Sequence, residues 1–225
     1  MPNELLFGIT ESGVMVNDSH PPITLENKFK MVRESGVYDY FDKTPAKGLV
    51  DEYLRCSEKY DLPILAGGWF YVLGRDEKLL MDNLRTGARL GSLVHNTQIL
   101  MDHADGPLVT DEQVAEIYMK AFETGEETGC RPTFEVHVNM WSENFCRVEK
   151  VADLVERRGI PFNMTLDHSH VIFKIDNPRE QEVFGIHESI EKGDLVLDPF
   201  QKDHICGKWI HRGFVMHCHA RAAVP

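Results

Sequence analysis

Three short segments of this sequence carry apolar runs that end in acidic and imidazole side chains. They are Thr133-Phe134-Glu135-Val136-His137, Thr165-Leu166-Asp167-His168-Ser169-His170 and Val215-Met216-His217-Cys218-His219. Each begins as a buried strand does and then turns polar. Carboxylates and imidazoles delivered from several strand ends suit a divalent metal, because one hard cation needs ligands converging from several directions. Glu135 lies inside an apolar stretch, where a charge is costly unless it is paired or coordinated. It is therefore read as a ligand, with an ion pair to Arg or Lys as the alternative. Asp167 closes its run, and His170 follows at D-x-x-H spacing, so the carboxylate can hold a cation while the imidazole reaches past it to a substrate. His217 and His219 alternate along one strand and share a face. His219 is nearer the strand's C-terminal end and is the preferred ligand, with His217 in support. The expected metal set is Glu135, Asp167 and His219.

Other residues are candidates for substrate contact. His137 shares the face of Glu135 and either binds substrate or is a hydrogen-bonded core histidine. Arg221 follows the third segment and suits a substrate oxygen. His103 ends a fourth-strand run and Trp69 a third-strand run, either as an aromatic and polar wall for a sugar ring or as plain packing. Glu143 is either a second acid/base or part of a helix cap. His20, His95, His187, His204 and His211 are read as surface or core histidines. The patterns Gly-x-Ser-x-Gly, P-loop, H-E-x-x-H and EF-hand loop are absent.

The elements that must position these groups alternate in type. Apolar runs over 5–10, 37–41, 63–66, 92–101, 133–138, 161–166 and 213–219 predict seven strands. Amphipathic stretches over 23–36, 49–60, 77–90, 110–128 and 145–158 predict helices between them. Thr24 and Thr110 are predicted caps, and Gln113 completes a capping box with Thr110. Gly67-Gly68 after the third run permits a sharp turn or a close ligand approach. The region 176–208 is less regular, with a short helix near 178–189. Such strand–helix units predict parallel strands joined by crossover helices in one domain over 1–225. A G-x-G-x-x-G after the first strand is absent, which disfavours a doubly wound sheet. A (β/α)8 TIM barrel is favoured, because its strand ends face one mouth.

Bulk properties exclude several classes. The 225 residues carry 24 Lys and Arg against 36 Asp and Glu, a net charge of -12, which argues against nucleic-acid and anionic-membrane partners. Five cysteines, an odd number without C-x-x-C, fit reduced thiols rather than a disulfide frame. The first six residues lack a basic and apolar leader, and no apolar run approaches a bilayer span, so a cytoplasmic protein is expected.

The three segments resemble the xylose isomerase-like TIM barrels, a group of sugar and sugar-phosphate isomerases and epimerases. Glu135-Val136-His137 matches the E-x-H that ends the fifth strand of that family. Asp167 to His170 matches its sixth-strand D-x-x-H, and His217-Cys218-His219 its seventh-strand H-x-H. Family members often continue the last motif as H-x-K-D, where this chain reads His219-Ala220-Arg221-Ala222. The family's second Glu ends an eighth strand. Since this sequence stops at Pro225, a further β/α unit is expected beyond it. The resemblance implies one divalent ion, Mn2+ or Mg2+ before Co2+ or Zn2+, and proton transfer next to a carbonyl, with Glu135 and His170 as catalytic groups. It implies a small-molecule carbohydrate as partner and leaves a homo-oligomer open. Two alternatives are a sugar lyase or hydrolase of the same fold, such as one cleaving a keto-glycoside, and a non-catalytic sugar-binding subunit. The family's DNA-binding endonuclease branch is disfavoured by the charge.

Overall fold

A computed structural model describes residues 5–15 and 22–221. His20, Ala222, Pro225 and residues 1–4 of the leader reading lie outside them. Seven strands form one sheet: β1 (Gly8–Thr10), β2 (Tyr40–Asp42), β3 (Ile64–Tyr71), β4 (Val94–Ile99), β5 (Arg131–Glu135), β6 (Met164–Asp167) and β7 (Val215–His219). Each pairs in parallel with the next, in sequence order. The crossovers carry helices α1 (Leu25–Ser35), α2 (Val50–Tyr60), α3 (Glu77–Leu90), α4 (Asp111–Thr128) and α5 (Phe145–Glu156). Between β6 and β7 come four short helices: α6 (Ser169–Ile172), α7 (Pro178–Val183), α8 (His187–Glu191) and α9 (Ile205–His211). The sheet curls. Tyr40 of β2 comes within 3.5 Å of His217 of β7, although those strands are not neighbours in the sheet. This is the α/β architecture of a TIM barrel with seven strands, and no eighth strand occurs among the described residues.

Local chemistry accounts for the element ends. The Thr24 side chain accepts from the Asn27 amide, and Gly36 closes α1 with φ of 64°. Thr110 and Gln113 cap each other at the start of α4, so two orphan donors are satisfied at once. Apolar residues of the strands' outer faces pack under the helices. Phe29 of α1 stacks on Phe41 of β2 with centroids 4.3 Å apart. Tyr118 of α4 meets Phe134 of β5 edge-on at 5.0 Å. Trp209 of α9 meets Phe145 of α5 in the same way.

Two departures from the sequence reading have clear causes. β3 runs on to Tyr71, through Gly67 and Gly68. A Cβ on Gly67 would stand 2.2 Å from Thr44 Oγ1, and one on Gly68 2.8 Å from the Asn96 carbonyl oxygen. The glycines therefore serve close approach of neighbouring segments within the strand rather than a turn. β2 is displaced toward its C-terminal end: Val37 is exposed and Phe41 buried, so the paired segment is Tyr40–Asp42 and ends in a carboxylate.

Candidate active site

Glu135, Asp167 and His219 close β5, β6 and β7, and β6 and β7 are in register with Asp167 opposite His219. The three can each offer a ligand atom with all three atoms within 4.8 Å of one another. They face a cavity of about 950 Å3, whose wall also includes Asp42, Gln98, His137, His217 and Arg221.

Glu135 is buried, and every side-chain oxygen is engaged. Oε2 accepts from Asn96 Nδ2 at 2.6 Å and from Gln98 Nε2 at 2.5 Å. Oε1 accepts from His219 Nδ1 at 2.8 Å. Burial alone would raise its pKa, but the His219 hydrogen bond and charge, with the two amides, bring it down to about 2. His219 responds in the opposite sense. Burial lowers it, and the Glu135 contact with the charges of Asp42 and Asp167 outweighs that and raises it. The two groups thus stabilise each other's charged forms, and the Nδ1–H of His219 donates to Glu135 whether or not Nε2 carries a proton. Nε2 of His219 is buried and has no partner.

Asp167 is also buried and fully engaged. Oδ1 accepts from the amide and hydroxyl of Ser169, at 3.0 and 2.5 Å. Oδ2 accepts from Arg221 Nη2 at 2.6 Å. The same nitrogen donates to His170 Nε2 at 2.5 Å, while Arg221 Nε donates to the Ser169 hydroxyl. Because Nε2 of His170 accepts, its proton sits on Nδ1, which is buried and unpartnered. Burial lowers the pKa of His170, as do His137 and Arg221, so the ring is neutral. His137 lies beside it, centroids 4.2 Å apart, and donates from Nδ1 to the Val138 carbonyl.

The structure thus gathers Glu135, His137, Asp167, His170, His219 and Arg221 at one end of the cavity. It does not bring Trp69 or His103 there. In β3, Trp69 is paired with Thr97 and Phe70 with Gln98; both are exposed, their rings stack 5.1 Å apart, and neither lines the cavity. His103 lies beyond β4 in a loop, where its Nδ1 accepts from the Asp105 amide and its ring packs against Gly74. Glu143 is buried in an ion pair with Lys174 at 2.7 Å. Asn96, Gln98 and Asp42 were not singled out by sequence. The alternation of Asn96 and Gln98 along an apolar run was the available signal for the first two.

The donor set suits a divalent cation: two carboxylates, an imidazole with an uncommitted buried nitrogen, and amides that orient Glu135 from behind. An unpartnered buried imidazole nitrogen is otherwise a net cost.

No protein-family model matches the sequence, nor does any curated protein. Solved structures do match. The D-psicose 3-epimerase of Clostridium cellulolyticum H10, solved with D-tagatose, aligns with a TM-score of 0.59 at 10% identity, over 98% of this chain and 78% of that one. The E. coli 3-keto-D-glucoside 4-epimerase, YcjR, aligns with a TM-score of 0.57 at 11% identity, over 99% and 93%. The fold is that of the xylose isomerase-like TIM barrels. The IolI protein, with a bound zinc atom, has a TM-score of 0.54 at 15% identity, over 74% of this chain and 64% of that one. This chain therefore spans less than two thirds of IolI's length. At such identities the likeness to xylose isomerase-like barrels concerns the fold, and the reaction must be argued from the residues.

Proposed function

We propose that this chain binds one divalent metal through Glu135, Asp167 and His219 and acts as a sugar or sugar-phosphate isomerase or epimerase. The observation that carries the reading is the convergence of those three side chains, from three successive strand ends, on one wall of a cavity large enough for a monosaccharide. A bound ion supplies Lewis-acid polarisation of neighbouring carbonyl and hydroxyl oxygens. Mn2+ and Mg2+ fit the two carboxylates, and Co2+ and Zn2+ the imidazole.

The chain's own residues supply the proton chemistry. Glu135 takes the proton next to the carbonyl and returns it. Its low pKa makes it a weak base while His219 donates to it. A neutral His219, donating from Nδ1 alone, lowers the carboxylate less than an imidazolium does, and burial then makes it more basic. His170 offers the Nδ1 proton to a substrate oxygen from a fixed ring. Arg221, half exposed on the cavity wall, can reach a substrate hydroxyl or phosphate oxygen.

One observation favours a second reading. Both carboxylates already face an internal cation, His219 for Glu135 and Arg221 for Asp167. A sugar-binding chain without catalysis would have the same need for internal neutrality. The two are separated by metal analysis of the dialysed protein together with a screen of ketoses and aldoses for mass-conserving conversion. Isomerase chemistry requires bound metal and a loss of at least ~10²-fold in turnover for Glu135→Gln. Sugar binding with neither metal nor turnover establishes the second reading, and products of lower mass a lyase.

A further inference from the structure

Asp42, at the end of β2, lies across the cavity from the paired carboxylates. Its side chain makes no hydrogen bond and no ion pair among the described residues, yet it offers an oxygen in a set with nitrogens of His217 and His219, all within 4.8 Å of one another. β2 and β7 are not neighbours in the sheet, so this convergence is a product of the curl. His217 is aimed rather than committed. Its ring nitrogens lie 3.3 Å from Thr165 Oγ1 and 3.5 Å from the Tyr40 hydroxyl, long contacts to groups that can rotate. His219 commits Nδ1 to Glu135 and leaves Nε2 buried without a partner. Asp42 and His217 are therefore left over once the Glu135 and Asp167 networks are complete, and Nε2 of His219 lies within reach of either set.

We infer that Asp42, His217 and His219 form an alternative divalent-cation site, which shares the one free nitrogen of His219 with the first and so competes with it. Its chemistry differs from that of the first. Two carboxylates and one imidazole are a hard set open to Mg2+ and Mn2+, whereas two imidazoles and one carboxylate favour borderline transition metals such as Co2+ and Zn2+. Thr165 holds Nδ1 of His217 from behind, as outer hydrogen-bond partners of ligating histidines do, and leaves Nε2, with only the 3.5 Å approach of Tyr40, to the ion. The cavity gives an ion access from solvent, since Asp42, His217 and His219 all line it. The inference does not depend on the isomerase reading, because Asp42 and His217 have no part in it.

The test uses metal-stripped wild type, Asp42→Asn, His217→Gln and Glu135→Gln. Co2+ is titrated without other divalent ions and followed by its visible d–d absorption and by calorimetry, with Mn2+ binding followed separately by electron paramagnetic resonance. Asp42→Asn and His217→Gln are each expected to weaken Co2+ binding by about tenfold or more while changing Mn2+ binding by less than about twofold. Glu135→Gln is expected to do the reverse. Retained Mn2+ binding and an unchanged circular dichroism spectrum show that the two variants are folded. If both titrate Co2+ like wild type, the second site does not exist. If wild type binds Co2+ but no Mn2+, the first site fails and the second stands.

Discussion

Arg221 does for Asp167 what a cation would do. Its guanidinium sits 2.6 Å from Oδ2 and ties Asp167, Ser169 and His170 into one network. A metal at Asp167 therefore competes with a resident positive charge, and the same charge repels the ion once it has bound. Replacing Arg221 with Gln is expected to tighten Mn2+ binding by roughly tenfold, or ~1.4 kcal/mol, and to weaken sugar binding in the same protein. A Mn2+ titration beside a sugar titration checks both halves; weaker metal binding in the variant would mean that Arg221 holds Asp167 in a ligating pose instead of competing for it. The Glu135–His219 pair carries its own pH signature. Glu135 is lowered, so its share of stability is complete above pH 4.5 and is lost as the pH falls toward about 2. His219 is raised, so its share is complete below 6.5 and is lost as the pH rises through its folded pKa. Metal-free protein is thus expected to lose stability as the pH rises above 6.5, in contrast to Glu135→Gln, whose melting temperature changes less over the same range. Parallel melting curves for the two proteins would remove the ion pair from the account.

Between elements, buried polar groups act as locks that fix the strands beneath the site. His95 of β4 joins β3 to the loop after β2. Its Nε2 accepts from the Tyr71 hydroxyl at 2.6 Å, which in turn accepts from Asn83, and its Nδ1 lies 3.1 Å from Thr44 Oγ1. That arrangement needs a neutral ring, and burial brings the pKa down to about 3. Between pH 6.5 and about 3 the unfolded chain takes up a proton that the folded one refuses. Stability therefore falls with falling pH, by up to ~1.4 kcal/mol per unit from this residue. His95→Asn is expected to be less stable at pH 7 but to show a flatter acid limb in urea unfolding; an unchanged slope would mean that His95 does not titrate this way. A second lock is Lys174, which is fully buried against Glu143 and lies over the Phe184 ring at 4.0 Å. It ties the segment after α6 to the loop after β5. Lys174→Met alone is expected to cost about 3–5 kcal/mol, because Glu143 is left buried and unpaired, while adding Glu143→Gln recovers most of it. Urea midpoints of the single and double variants decide the matter, and additive losses would argue against a coupled pair. These locks also mark the limit of what sequence revealed. Thr110 with Gln113 and Thr24 with Gly36 announced their helix ends, because capping is a local interaction. Glu143 could not be told from a cap residue, because its partner Lys174 is 31 positions away.

At the scale of the molecule, the strand–helix rhythm predicted parallel strands, and polar strand ends with no G-x-G-x-x-G pointed to a barrel, in which consecutive strands are neighbours. The three strand-end motifs gave Glu135, Asp167 and His219. What escaped were contributions that exist only through the curl of the sheet. Asp42 follows the 37–41 run and belongs to no motif in the sequence, and only the curl of the sheet brings it near β7. Trp69 reads as a mouth residue, yet β3 extends through Gly67 and Gly68 and places it opposite Thr97, with its ring stacked on Phe70 and outside the cavity wall. The whole-molecule charge makes the last distinction, between a sugar-handling barrel and a DNA-handling one. Nucleic-acid affinity rests on Lys and Arg groups that neutralise phosphates and release counterions. This chain has 24 such residues against 36 acids, and the Arg at the cavity, Arg221, is already paired with Asp167. Outside the cavity, Arg212 is surrounded by Glu149, Asp153 and Glu156, so its charge too is already offset. Fluorescence anisotropy with a duplex carrying an abasic site, at ~0.15 M salt, is therefore expected to show no saturable binding up to about 10 μM protein, the range where non-specific binders already respond. Saturation below that range, weakened by added salt, would overturn the sugar reading and move the Glu135, Asp167 and His219 cluster to phosphodiester chemistry.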